Sequence, residues 1–328
     1  MIIDAHAHVV APPGLNSTWA QMESAGTYNG RTRTPVTDAE LIEFADRQIA
    51  LMDEVGTDLQ LTSPRPYLMK HSYRPHLAVH WWVQNHNDAL AVQAAARPDR
   101  IRGVAALPQL DGEPVGVVFD ELDRCINDLG FVGVLLNPDP GEGNGRSPVM
   151  GDPYWYPLYE KLEDMDVPAL LHGAGCNGRE NYSEHFISEE SLAITSILRS
   201  DVFDRFPKLK LVVPHGGGSV PYQVGRWIAH EGKFGGLTPE QARESYIGKL
   251  RKFYFDTCIY TPEALDLLFR VVGTDRVLFG TERPGSGYGL EDVKPVIEKL
   301  DLLGESDLHA IFEGNARSVY SRLAPATA

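Results

Sequence analysis

Met1-Ile2-Ile3-Asp4-Ala5-His6-Ala7-His8 opens the chain as a short apolar strand ending in His-x-His. Successive side chains of a strand point to opposite faces, so His6 and His8 leave it on the same side. Neutral imidazole is the commonest protein metal ligand, and two on one face make half of a tetrahedral or five-coordinate site. Two histidines at an exposed terminus would need no such role. The reading therefore turns on whether other strands bring the missing ligands to the same place.

Seven further apolar runs follow, at residues 57–62, 102–107, 132–136, 167–171, 209–213, 253–257 and 276–279, after the first at 2–5. Near-continuous apolar runs of this length suit parallel strands buried on both faces. Amphipathic stretches at 38–55, 115–129, 154–165, 189–205, 221–231, 261–272, 290–299 and 305–320 predict helices. Strand–helix alternation repeated eight times predicts an α/β fold, a (β/α)8 TIM barrel, as one domain over residues 1–328. A doubly wound open sheet is the main rival. Long segments follow strands one (9–36), two (63–86), four (137–153) and five (173–188). In a barrel such loops crowd the C-terminal mouth, where active sites sit.

The balance of 30 basic against 45 acidic residues gives a net charge of −15, and no basic run interrupts it. This argues against nucleic acid or an anionic membrane as partner. Cys125, Cys176 and Cys258 are widely spaced and odd in number, which indicates neither a disulfide framework nor a cysteine-rich zinc site. No apolar run approaches the ~18 residues that span a bilayer. The first strand begins at residue 2 and leaves no room for a signal peptide, so a cytoplasmic protein is expected.

The other strand ends carry the expected chemistry. Strand five ends in Leu171-His172-Gly173, strand six in Val213-Pro214-His215-Gly216-Gly217-Gly218, and strand eight in Phe279-Gly280-Thr281-Glu282. One histidine at a strand end needs only a hydrogen bond to a nearby loop. Four strand ends finishing in imidazole or carboxylate converge on one barrel mouth. Such donors suit one divalent metal, with zinc favoured and manganese or iron as alternatives. An open coordination position would lower the pKa of its water towards ~7.

This arrangement resembles the amidohydrolase superfamily over essentially the whole chain. It is most similar to the amidohydrolase-2 branch that includes aminocarboxymuconate-semialdehyde decarboxylase, 4-oxalomesaconate hydratase and metal-dependent meta-cleavage-product hydrolases. The closer match lies in Thr62-Ser63-Pro64-Arg65-Pro66, Leu136-Asn137-Pro138-Asp139-Pro140, Gly151-Asp152-Pro153-Tyr154-Trp155-Tyr156-Pro157, the Pro214–Gly218 turn and Phe255-Asp256-Thr257. The resemblance implies a metal held by His6, His8, His172 and Glu282, with His215 a further ligand or the base that handles the water proton. The strand-eight acid is Asp in most of the superfamily. Glu282 here is similar to the hydratase and carbon–carbon hydrolase subgroups. No Lys follows strand four at Leu135-Leu136-Asn137, which implies a mononuclear site.

Arg65, stiffened by Pro64 and Pro66, is expected to grip a substrate carboxylate with its planar fork. Asn137, Asp139, Arg179, Tyr182 and His185 are weaker substrate-binding candidates on rim loops, each more readily a loop-stabilising residue than a contact. His71, His76, His80 and His86, with Trp81 and Trp82, predict a lid helix; a second metal site is the lesser reading. Asp256 is expected to orient a ligand histidine. His230 and His309 fall on outer helices and need no role. The resemblance implies a small anionic oxo-acid as substrate and a homo-oligomer. The first expectation is hydrolysis of a carbon–carbon bond in a conjugated oxo-acid from aromatic ring cleavage. Hydration of a conjugated C=C comes second and decarboxylation third. A metabolite-binding or structural-zinc barrel is the non-enzymatic alternative.

Overall fold

The computed structural model describes every residue except Val10, Gly26, Asn29, Thr32, Arg33, 285–292 and 324–328. Eight strands form one sheet in chain order: β1 (Ile3–His8), β2 (Leu59–Ser63), β3 (Ile101–Ala106), β4 (Gly133–Leu136), β5 (Ala169–Leu171), β6 (Leu211–Val213), β7 (Tyr254–Asp256) and β8 (Val277–Leu278). Every neighbouring pair is parallel. Backbone bonds close the ring: Ala5 N donates to Phe279 O at 2.8 Å, Glu282 N to His6 O at 2.7 Å and His8 N to Arg283 O at 2.9 Å. The sheet is the (β/α)8 barrel and not the open sheet.

Alternate residues of each strand enter different cores, as the two-residue period requires. Ile3, Leu135, Leu170, Val212 and Leu278 fill the barrel interior. Val134, Leu136, Ala169, Leu171, Leu211, Val213 and Val277 pack outward beneath the helices. This double burial is why the strands read as continuous apolar runs. Ala316, Val319, Tyr320 and Leu323 complete the interior core.

The helix over Asp38–Val55 has the predicted limits, set by a Thr37–Glu40 capping box and a left-handed Gly56. Elsewhere local signals shift the bounds. Asn181 and Glu184 form a second capping box, so the helix predicted from 189 starts at Tyr182 and runs to Leu198. The histidine-rich tract is not a lid. His76–Ala96 is the crossover helix between β2 and β3, burying Trp82, Val83, His86 and Leu90. Gly14–Ala25 and Pro239–Leu250 are helices that the periodicity did not single out. Of the predicted helix 290–299, residues 290–292 lie outside the described residues, and Val293–Glu298 is helical. Among the described residues no helix is long and apolar enough to cross a membrane.

Candidate active site

His6, His8, His172, His215 and Glu282 meet at the C-terminal ends of β1, β5, β6 and β8, all of them buried. Ring centroids are 5.0 Å apart for His6–His8, 5.1 Å for His6–His172 and 4.9 Å for His172–His215. Donor atoms of His6, His172 and His215 lie within 4.8 Å of one another, as do those of His8, His172 and Glu282.

Each imidazole is held from behind. His6 Nδ1 faces Asp256 Oδ2 at 2.6 Å, and His8 Nδ1 faces Ser63 Oγ at 3.0 Å. His172 Nδ1 faces Gly173 O at 2.7 Å, and His215 Nδ1 stands 3.0 Å from both oxygens of Glu190. Gly173 O and the carboxylates only accept, and Ser63 Oγ donates to Pro64 O, so all four rings carry a proton on Nδ1. That arrangement turns the Nε2 atoms towards one another. Nε2 of His6 and of His172 are buried with no hydrogen-bond partner. A buried polar atom left unpaired costs about 1–3 kcal/mol, a cost that a cation at this point removes. Imidazole with one carboxylate is also a donor set that suits a divalent metal.

The charge pattern agrees. Burial, then the neighbouring imidazoles, hold His8 and His172 well below the usual histidine range, in the neutral form that binds metals. Burial also pulls on His215, but the Glu190 and Glu282 carboxylates outweigh it and hold His215 well above that range. Burial works against Glu282 ionising, yet hydrogen bonding and charge from His215 bring it down to about 2.

The backbone is bent to make this geometry. His215 and Glu282 have φ of 50° and 59°, a left-handed conformation that costs a non-glycine residue about 1–3 kcal/mol. Gly217 follows at φ 85°, and a Cβ there would lie 2.7 Å from Phe255 Cε1, so only glycine fits.

Three contributors escaped the sequence reading. Glu190 comes from the Tyr182–Leu198 helix, far in sequence from the histidine it holds. Tyr260 donates its hydroxyl to Glu282 Oε2 at 3.0 Å. Asp4 accepts from His6 N at 3.1 Å, Gln60 Nε2 at 2.8 Å, Thr281 N at 3.0 Å and Thr281 Oγ1 at 2.6 Å. It stitches β1 to β2 and to the Glu282 turn. Burial pushes its carboxyl up to about 6. An acid inside an Ile-Ile-Asp-Ala strand was the available signal for Asp4; Glu190 and Tyr260 had none.

Arg65 is half-buried, donates to Tyr67 OH at 3.2 Å, and its charge depresses His8, so it faces the centre. Tyr182 packs on Tyr67 at 5.7 Å and on Phe186 at 5.5 Å, and Phe186 packs on His172 at 4.8 Å. Tyr182 thus belongs to the same rim. Asn137 is turned inward, bonding Asp139 O and N through its amide. Arg179 and His185 line a cavity of about 450 Å³ whose wall includes none of the five clustered residues. His71 bonds Gln109 O at 2.9 Å and lies near His172 and Asn137 around a small void.

The amidohydrolase family profile matches residues 3–322. The chain belongs to the amidohydrolase family. This amidohydrolase is 34% identical to a 2-keto-4-carboxy-3-hexenedioate hydratase from a Sphingobium species, over 98% of this chain and 97% of that one. Its structure superposes with a TM-score of 0.84 on 4-oxalomesaconate hydratase from Rhodopseudomonas palustris, at 31% identity and 98% and 96% coverage. It also shares its fold with a dihydroxybenzoic acid decarboxylase from a Polaromonas species, solved with bound manganese and an inhibitor. That match has a TM-score of 0.73, 24% identity and 99% and 98% coverage. The amidohydrolase is therefore an enzyme of this superfamily, not a non-catalytic barrel.

Proposed function

We propose that this amidohydrolase is a hydratase that adds water across a C=C conjugated to an anionic oxo-acid, of the 4-oxalomesaconate type. The observation that carries the reading is its similarity, along nearly its whole length, to two hydratases of conjugated oxo-polyacids. Carbon–carbon hydrolysis, the first expectation from sequence, gives way, because the relatives described are hydratases and a decarboxylase.

In this reading His6, His8, His172 and Glu282 hold one divalent metal. Zinc suits three imidazoles and a carboxylate, and manganese or iron suits the same donors. A bound divalent metal supplies Lewis acidity and eases the ionisation of water near neutral pH.

The chain's own residues do the rest. Arg65 binds a substrate carboxylate and turns the conjugated system towards the cluster. Glu190 keeps a proton on His215 Nδ1, so in the neutral ring Nε2 is the atom that takes a proton from water. The water oxygen bonds to the carbon β to the oxo group, and the π electrons move onto the oxo oxygen. The proton held at His215 Nε2 then goes to the α carbon, which completes addition of one water. Tyr260 fixes Glu282 from the side away from His215. Decarboxylation is the second reading, favoured by the decarboxylase that shares the fold.

The test is a substrate panel. With one equivalent of zinc or manganese, 4-oxalomesaconate should lose its conjugated ultraviolet absorbance, whereas dihydroxybenzoates should be untouched. Carbon dioxide release from a dihydroxybenzoate, with no action on 4-oxalomesaconate, would replace the hydratase by the decarboxylase.

A further inference from the structure

The Tyr182–Leu198 helix carries two stripes of side chains. Phe186 and Glu190, four apart, face the histidine cluster. His185 and Glu189, also four apart, face instead the separate cavity of about 450 Å³, together with Asp139, Glu180 and Arg179. One donor atom from each of Asp139, His185 and Glu189 lies within 4.8 Å of the others.

The bonding there is incomplete. Asp139 Oδ1 accepts from Gly141 N at 3.1 Å and from the Ser147 hydroxyl, and Oδ2 accepts from Gly143 N at 2.6 Å. One lone pair of Oδ2 is left, and Asp139 lines the cavity. His185 Nε2 stands 3.3 Å from that oxygen, yet is buried and makes no hydrogen bond. His185 Nδ1 stands 3.5 Å from Glu180 Oε2, a longer contact than those behind the clustered histidines. Burial pulls His185 down, but the Asp139, Glu189 and Glu180 carboxylates outweigh it and raise the imidazole above its ordinary range, so positive charge belongs at this 3.3 Å contact, carried by a proton or by a cation held between Nε2 and Oδ2. Glu189 makes no hydrogen bond or ion pair with another described residue. Burial, then the Asp139 carboxylate, push it up to about 7. Arg179, exposed at the rim, is the cation on a wall that carries three carboxylates.

We propose that Asp139, His185 and Glu189 form a second divalent-cation site, distinct from the histidine cluster, with the mixed nitrogen and oxygen donors that suit Zn²⁺ or Mn²⁺. A cation there ties the loop after β4 to the helix that presents Glu190 and Phe186 to the active site. It is a structural clamp on the residues behind His215 and His172.

The test is Mn²⁺ titration of the full chain stripped with chelator, with free Mn²⁺ read by electron paramagnetic resonance. Wild type should bind two equivalents, and Glu189→Gln and Asp139→Asn one each. His6→Ala/His8→Ala, which lacks the first centre, should keep one equivalent, and Mn²⁺ should raise its thermal midpoint. One equivalent in wild type would overturn the proposal without recourse to any variant and leave a proton between the two groups. Two equivalents retained in Glu189→Gln, or no binding to His6→Ala/His8→Ala, would overturn it equally.

Discussion

Nδ1 of His6 and Oδ2 of Asp256 stand 2.6 Å apart, and both side chains are fully buried. The carboxylate comes from β7 and the imidazole from β1, so the pair spans β8 and fixes one ring of the centre from outside it. Partners of this kind orient the ring and raise its basicity. Asp256→Asn should therefore weaken metal binding ~10–100-fold while circular dichroism stays that of wild type. Chelator competition measures it, and an unchanged affinity would leave Asp256 a packing residue.

His215 separates two roles at one position. Its Nδ1 is taken by Glu190, and its Nε2 lies 3.7 Å from Glu282 Oε1. If it handles the proton, His215→Asn should keep near wild-type metal content while turnover falls ~10²–10⁴-fold. Metal analysis beside a kinetic assay decides this. Metal lost together with activity would make it a ligand.

Arg65→Lys keeps the charge and loses the planar fork. A charge-assisted bond to a substrate carboxylate would then be impaired by ~1.5–3 kcal/mol in transition-state binding, read as kcat/KM. Unchanged kcat/KM would confine Arg65 to its bond with Tyr67.

His86 gives a pH signature outside the active site. Burial holds it at about 4, below its ordinary 6.5, while Nδ1 faces Trp82 O at 3.0 Å. Between pH 6.5 and 4 the unfolded chain takes up a proton that the folded chain refuses, so stability falls as pH drops through that window. That gap corresponds to roughly 3 kcal/mol. Urea unfolding of the metal-stripped protein should show this loss on top of that from the other buried histidines, and His86→Asn should show a shallower pH slope by the His86 share. Equal pH slopes for the two proteins would contradict the burial argument.

Much of this was legible in the sequence because it is periodic or local. All eight strands appear as apolar runs, since both faces of a barrel strand are buried. His-x-His and the strand-end His172, His215 and Glu282 are local features, and the fold alone brings them together. Glu190, Tyr260 and Asp256 lie far from their partners in sequence. Asp256 was legible through its place at a strand end; Glu190, in the third turn of a helix that begins seven residues before the predicted start, was not. The histidine tract misled because its tryptophans and histidines suggest a cover, whereas Trp82 and His86 are simply the buried face of a crossover helix. Asn137 reads more readily as a loop-stabilising residue than as a contact, and its amide bonds Asp139 O and N within its own turn.

The central claim is that water adds to an intact carbon skeleton. Turnover of 4-oxalomesaconate in oxygen-18 water, followed by mass spectrometry of the product, tests it most directly. The account predicts one product, heavier than substrate by one labelled water, with every carbon retained. Two shorter acids, or a product lighter by carbon dioxide, would contradict it.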